Sequence, residues 1–356
     1  MSEKIELIGL SREELQEHLK QMGEPTFRAK QIWQWVYYYG VTDFNEMTNL
    51  SKDLRTKLGQ YFDLSRPRIV DEQISSDRTH KWLLEFGDGQ RVEMVYIPEE
   101  DRGAVCISTQ VGCAMGCKFC HTGSQKLTRN LTAGEIVSQF MVARDVYKEW
   151  NLKEQSRMLS NIVVMGMGEP FQNYDNLAKA VKIISDGEGI ALSKRRITVS
   201  TSGIVPHIPN FDAEVGTRLA ISLHAPNNEL RSQIMPINKK YPLPDLIKAC
   251  RQYQDNHGGY ITFEYLMLNN FNDGYAHAEE LIRLMKTNKI NAKFNLIAFN
   301  PWPGCDFAPS SNNRIHAFSE ELQKHGFAAP IRTARGQDIL AACGQLKSKK
   351  NSKDDK

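Results

Sequence analysis

AVCISTQVGCAMGCKFC, residues 104–120, is the stretch on which the fold turns. Its first six residues form a short apolar run rich enough in β-branched side chains to read as a strand. A glycine-bearing loop follows, carrying Cys113, Cys117 and Cys120 in Cys-x3-Cys-x2-Cys spacing. Working outward from it, five more apolar runs recur: NIVVMG (161–166), RITVST (196–201), RLAISLH (218–224), ITFEYLML (261–268) and KFNLIAFN (293–300). Between them lie helical patterns such as LTAGEIVSQFMVARDVY (131–147) and AHAEELIRLMKT (276–287). Six alternations of strand and helix predict an α/β fold with a parallel sheet and right-handed crossovers, either open or closed into a partial (βα)6 barrel. Reactive residues of such folds collect at the carboxyl ends of the strands, which is where the cysteine loop falls.

Three thiolates can hold a four-iron cluster and leave one iron open to a substrate. A structural zinc site is the competing reading. It needs a fourth ligand, for which His121 is awkwardly placed and Cys106 is the other choice. The remaining strand ends supply Gly168-Glu169-Pro170, Ser200-Thr-Ser-Gly203, Ser222-Leu223-His224 and Asn300-Pro301. Each alone is an ordinary turn sequence. Their recurrence on the edge that bears the cysteines makes Gly168, Glu169, Ser200, Ser222, Leu223, His224 and Asn300 candidates for a cofactor cradle.

Ahead of this unit the chain reads as a helical accessory domain over residues 1–80. Ser11 and Glu14 have capping-box spacing, QIWQWVYYYG ends a second helix at Gly40, and a third helix follows Ser51. KWLLEF and RVEMVYIP flank GDGQ and predict a hairpin linker over residues 81–103. The barrel is expected over residues 104–346. The tail 347–356 has no core-forming residues and is expected to be disordered. In RVEMVYIP, alternation puts Glu93 on the face of Val95 and Ile97, an unusual address for a carboxylate, where burial would raise its pKa and suit it to proton transfer; an exposed edge glutamate is the alternative.

The 356 residues are 41% hydrophobic and 24% charged with a net charge of +3, ordinary for a globular protein and only mildly favourable to a polyanion. No apolar segment approaches the ~20 residues that span a bilayer and no leader pattern opens the chain, so a cytoplasmic location without membrane contact is expected. Seven cysteines in such a chain point to metal binding or reactivity rather than a disulfide scaffold.

The cysteine spacing, with Phe119 before the last cysteine, resembles the radical S-adenosylmethionine (SAM) superfamily. FRAKQIWQWVYYYG (27–40), VEMVYIPE (92–99) and ACGQL (342–346) extend the resemblance over nearly the whole chain to the RlmN/Cfr family of RNA methyltransferases. That resemblance implies one 4Fe-4S cluster on Cys113, Cys117 and Cys120, with SAM on the open iron and cleaved there to a 5′-deoxyadenosyl radical. It implies that Cys343 first takes a methyl group, that a radical formed on this group adds to an adenine, and that Cys106 releases the product through a transient disulfide with Cys343. Glu93 then matches the proton acceptor. Such a route suits C2 and C8 of adenine, which are too poorly nucleophilic for ordinary methyl displacement, whereas a thiolate is a good nucleophile.

The implied substrates are an adenosine of 23S rRNA and the adenosine 3′ to the anticodon in some tRNAs, modified at C2. The implied electron donor is a flavodoxin-type reductant, and a monomer is expected. Arg28, Lys30, Trp33, Trp35 and Lys52 are candidates for phosphate contact and stacking on RNA; a helix core with solvated charges is their alternative. C8 methylation, a noncatalytic iron–sulfur or zinc RNA-binding protein, and an activase acting on a protein partner are the competing functions.

Overall fold

The computed structural model describes residues 4–100, 102–150 and 157–347. β1 (Ile5–Glu6) pairs in parallel with β2 (Phe62–Asp63), closing a small unit around α1 (Arg12–Gln21), α2 (Arg28–Tyr37) and α3 (Lys52–Tyr61). The expected capping box starts α1: Ser11 Oγ accepts from the Glu14 N–H, and the Glu14 carboxylate accepts from the Ser11 N–H at 2.6 Å. Ser11 thereby satisfies a donor that the first helical turn leaves without a partner. The apolar stripe of α2 turns Ile32, Trp33, Val36 and Tyr37 into the core. Trp33 is 2% exposed, its ring 4.5 Å from that of Tyr37, so it is a core residue and not a stacking surface for RNA. Lys30 pairs with Glu188 at 2.5 Å, and Trp35 donates to Asn49 at 2.6 Å.

The helical reading of the first eighty residues stops at Tyr61. β3 (Arg68–Ile74) follows and pairs antiparallel with β4 (His80–Glu85), which pairs with β5 (Arg91–Pro98) across the expected turn. RIVDEQI escapes notice because it is an edge strand, and such edges carry exposed charge in place of a clean apolar alternation. β5 continues antiparallel onto β6 (Gly103–Cys106). The hairpin is therefore an extension of the main sheet rather than a linker.

A short antiparallel pair, β7 (Gln110–Val111) with β8 (Arg129–Asn130), clamps both ends of the cysteine loop. α4 (Ala133–Tyr147) opens with a second capping box, Thr132 to Glu135. Then come β9 (Asn161–Val164), α5 (Tyr174–Ser185), β10 (Ile197–Thr201), α6 (Phe211–Glu214) and β11 (Arg218–Ser222). α7 (Asn228–Ile234), α8 (Leu243–His257), β12 (Ile261–Met267), α9 (Tyr275–Thr287), β13 (Ala292–Ala298), α10 (Asn312–Lys324) and β14 (Ile331–Arg332) complete the described chain. The six predicted strands run parallel in the order β6-β9-β10-β11-β12-β13, and β14 adds a seventh at the edge. Among the described residues no helix is long and apolar enough to cross a membrane. Residues 348–356, most of the predicted tail, lie outside the described residues.

Candidate active site

A cavity of about 1070 Å³ runs through the parallel half of the sheet. At the carboxyl edge it is lined by Cys113, Cys117 and Cys120. Their loop is held from outside: Lys118 N–H donates to the Ile234 carbonyl at 3.0 Å, and Trp302 Nε1 donates to the Phe119 carbonyl at 2.9 Å. Burial pushes all three thiols up, to about 12 for Cys113, and Cys117 is raised further by its two neighbours. Three adjacent thiolates are thus disfavoured until a cationic centre binds them, when proton release accompanies metal uptake. Among the described residues no three His, Cys, Asp or Glu side chains close around a single ion, so the four-ligand cage of a structural zinc site is not formed. Thiolates on separate irons of a cluster have no such convergence to meet. The donor set fits a cluster.

The cradle residues divide. Gly168 has φ +100°, and a Cβ there would meet Gln110 Cβ at 2.6 Å, so only glycine permits this approach. The Glu169 carboxylate is consumed internally. It accepts from Thr201 Oγ1 (2.7 Å), Ser202 N–H (2.7 Å) and Phe171 N–H (3.0 Å), which binds the ends of β9 and β10 together. Ser200 and Ser222 both line the cavity, their hydroxyls 3.4 Å apart. Ser202 also lines it, with a buried hydroxyl that lacks a hydrogen-bond partner, a vacancy that a polar cofactor would fill.

His224 is buried, and burial together with Arg231 pulls its imidazole down to about 3. Its Nδ1 accepts from Leu266 N–H at 3.1 Å, which places the proton of the neutral ring on Nε2. Asn300 lines the cavity and accepts from Gln337 Nε2. Leu223 does not line it; its contribution is a carbonyl that accepts from Arg231 Nε at 3.2 Å. Arg231, a residue sequence reading passed over, is fully buried. It also donates to Ser202 and Ser222 carbonyls and to Asn238 Oδ1, tying the β10 and β11 ends together. It stands in the largely polar stretch NNELRSQI (227–234), where an arginine reads as a solvated helix residue, so its burial left no signal in the sequence.

Cys106 and Cys343 meet in the same cavity although 237 positions separate them. Both are free thiols. Burial raises the Cys106 thiol first, and proximity of Cys343 raises it next. Cys343 presents surface to the cavity but lies deep within it, so burial and the nearby Glu264 carboxylate raise its thiol as well. It rides on a strap, residues 336–347, stitched across the molecule. Asp338 accepts from Ser75 Oγ at 2.5 Å and Ser76 N–H at 3.1 Å; His121 N–H donates to the Gly344 carbonyl at 2.7 Å; Thr122 Oγ1 donates to the Leu346 carbonyl at 2.6 Å.

Glu93 is buried on the inner face of β5, in the register that puts Val95 beside Cys106. Its carboxylate pairs with Lys81 Nζ at 3.2 Å and accepts from Lys347 N–H at 2.7 Å. It stands behind the cavity wall, roofed by Leu346 and Lys347.

Residues 107–285 match the family model of the radical SAM superfamily, and a cluster-binding cysteine loop at the mouth of a parallel partial barrel is the architecture of that class. Residues 5–64 match the ribosomal RNA large subunit methyltransferase N-terminal domain. The dual-specificity RNA methyltransferase RlmN of Gluconobacter oxydans (strain 621H) is 57% identical over 348 residues, covering 96% of this chain and 85% of that protein. The enzyme of the same description from Rhodospirillum rubrum is 57% identical, covering 97% and 80%. A solved radical SAM methyltransferase from Sphaerobacter thermophilus superposes with a TM-score of 0.90 at 45% identity, covering 96% of this chain and 99% of that one. The chain belongs to the RlmN family. Radical SAM enzymes of this family use a 4Fe-4S cluster and SAM, and the residues described above fit both.

Proposed function

We propose that this chain methylates C2 of an adenosine in 23S rRNA and of the adenosine 3′ to the anticodon in a subset of tRNAs. The observation that carries the reading is the convergence of five cysteines on one cavity: Cys113, Cys117 and Cys120 at its carboxyl edge, Cys106 and Cys343 within it. When bound, the cluster and SAM supply an electrophilic methyl group and, by one-electron cleavage, a carbon radical. Cys113, Cys117 and Cys120 hold the cluster. Gly168, Ser200, Ser222, His224 and Asn300 line the SAM cradle, with Glu169 and Leu223 shaping it from behind.

Cys343 carries the transferred carbon to the base. Cys106, sharing its space, attacks the Cys343 sulfur to free the product and leaves a disulfide that a reductant must reopen. Glu93 accepts the ring proton once Leu346 and Lys347 lift from it. The relatives named for RlmN favour C2 over C8. A flavodoxin-type electron donor, a monomeric enzyme and a cytoplasmic setting, which keeps the seven thiols reduced, belong to the same reading.

The test is anaerobic incubation of reconstituted protein with SAM, a reductant and unmodified 23S RNA, followed by digestion and mass spectrometry against methyladenosine standards. 2-Methyladenosine that disappears with Cys343→Ala is the expected result. 8-Methyladenosine would transfer the chain to the C8 reaction. No methylated base despite an intact cluster and SAM cleavage would overturn the proposal.

A further inference from the structure

Alternation along β12 and β13 turns Glu264 and Leu266 from one strand, and Lys293, Asn295 and Ile297 from the other, onto the inner face of the barrel, where all five line the cavity. Register pairs Glu264 with Asn295 and Leu266 with Ile297. The layer nearer the cysteine loop is therefore apolar and the layer below it polar. The cavity reaches further, to Glu99, Glu100 and Arg102 on the turn entering β6, at the amino edge of the sheet. A ligand lying beyond the cradle of strand ends would meet the polar layer.

Glu264 is 6% exposed, yet only one of its carboxylate oxygens is bonded: Oε1 accepts from Asn295 Nδ2 at 2.8 Å. Among the described residues the other oxygen accepts no hydrogen bond. The contrast with Glu169, whose two oxygens take three donors, is sharp. That second oxygen is not among the buried atoms that lack a partner: it is open to the cavity, where a ligand's donor can reach it. Burial raises the Glu264 carboxyl, while Arg332 and Lys293 act to keep it charged. Cys343 stands close enough that the Glu264 charge is, after burial, the largest influence on its thiol.

We propose that Glu264 and Asn295 form a nucleobase subsite, in which the free carboxylate oxygen accepts a hydrogen bond from the exocyclic amine of the base presented to Cys343. The subsite rests on the RNA-methylation reading and deepens it. A carboxylate only accepts, so it selects a base that donates. On adenine, C2, N1 and the 6-amino group lie along one edge, so a thiol facing C2 and a carboxylate beside it address the same edge. Hypoxanthine presents a carbonyl oxygen, which the carboxylate repels, where adenine has the amine, and its edge donor sits instead at N1, directly beside C2. Asn295 holds the carboxylate in register by its single hydrogen bond and is a positioning residue.

The test uses anaerobically reconstituted holoenzyme with SAM and no reductant, so that no radical forms and the base stays unmodified. Affinity is read by fluorescence anisotropy for a labelled hairpin RNA carrying adenosine, purine ribonucleoside or inosine at the target position. The wild type is expected to bind the adenosine hairpin about tenfold more tightly than the purine one, and inosine more weakly still. Glu264→Leu, close in volume and without an acceptor, is expected to keep its cluster absorbance while binding all three hairpins alike, at the purine level. Asn295→Ala should retain the order with a smaller spread.

Discrimination that persists in Glu264→Leu, or an equal loss on all three hairpins relative to wild type, would overturn the subsite. Wild-type protein that binds none of them above an unrelated hairpin, and forms no methyladenosine when reductant is added, would overturn the RNA reading and the subsite with it.

Discussion

Two segments border the cavity, the cysteine loop and the strap that carries Cys343, and they are held by different means. The loop is clamped at its base by β7 and β8, whose paired residues lie 18 and 20 positions apart, and is fixed within by local turns such as Cys120 N–H to the Cys117 carbonyl, with Ile234 and Trp302 as its more distant supports. Separations of 220 to 263 positions divide the strap from most of its partners: Ser75, Ser76, Asp77, Lys81, Glu93, His121 and Thr122. A segment fixed by its neighbours keeps its form when the rest of the protein loosens. One whose anchors are distant opens first, because it keeps its form only while the elements that carry those anchors stay in place. The division suits the reading given above, in which the cluster must stay put while the carrier thiol moves between cofactor, base and Cys106.

Changes to the loop should act on chemistry and leave the strap in place. Cys117→Ser is expected to remove the cluster absorbance and reduce RNA methylation more than about 10³-fold, with strap hydrogen exchange unaltered; a variant retaining both cluster and activity would break the contrast at its strongest point. Cys106→Ala tests the other side. Multiple-turnover methylation should fall about 10²-fold while the cluster remains, and a covalent protein–RNA adduct should accumulate on a denaturing gel. Absence of the adduct in the presence of RNA methylation would remove Cys106 from the release step.

Asp338→Ala severs the two bonds to Ser75 and Ser76 and should favour strap opening by about 2 kcal/mol, read as faster exchange at the His121 and Lys347 amides with little change in the melting temperature. Equal acceleration across the β-sheet would mean that strap and barrel unfold together. The smallest effect is the acid response of Asp77, which accepts from Thr79 and Gly336 N–H and whose carboxyl those bonds pull down to about 2 from 3.8. A depressed folded-state pKa gives stability that is present above the unfolded value and lost as pH falls through the folded one. Strap protection should therefore decline between pH 4 and pH 2 by on the order of 1 kcal/mol, solvent screening included, and Asp77→Asn should abolish that part of the decline.

Much of the barrel was legible because the parallel strands AVC, NIVV, ITVST, RLAIS and their successors are buried on both faces and read as apolar runs. The cysteine loop was legible because its spacing is local. β3 was not, since an edge strand need not alternate cleanly. Trp33 was misjudged as an RNA contact, because an aromatic residue on a helix carries no mark of which face it occupies until the neighbouring helices are placed. Arg231 and Glu264 were missed for different local causes: Arg231 stands in a polar helix stretch and reads as solvated, Glu264 is a single charge in an apolar strand, and the partners, Ser202 and Asn238 for one and Asn295 for the other, come from other elements.

The sequence by itself determined the parallel direction of six strands, the capped helices, the cysteine loop and, through resemblance, the pairing of Cys106 with Cys343 as an expectation. Tertiary structure decided which carboxylates are available. Glu93, Glu169 and Glu264 are three buried glutamates that look alike as letters. One is paired with Lys81 and roofed by the strap, one is consumed by three donors, and one keeps an oxygen facing the cavity. What separates them is the number of donors within about 3 Å, a quantity set by chain segments far apart in sequence and therefore fixed only when the sheet, the loop and the strap have come together.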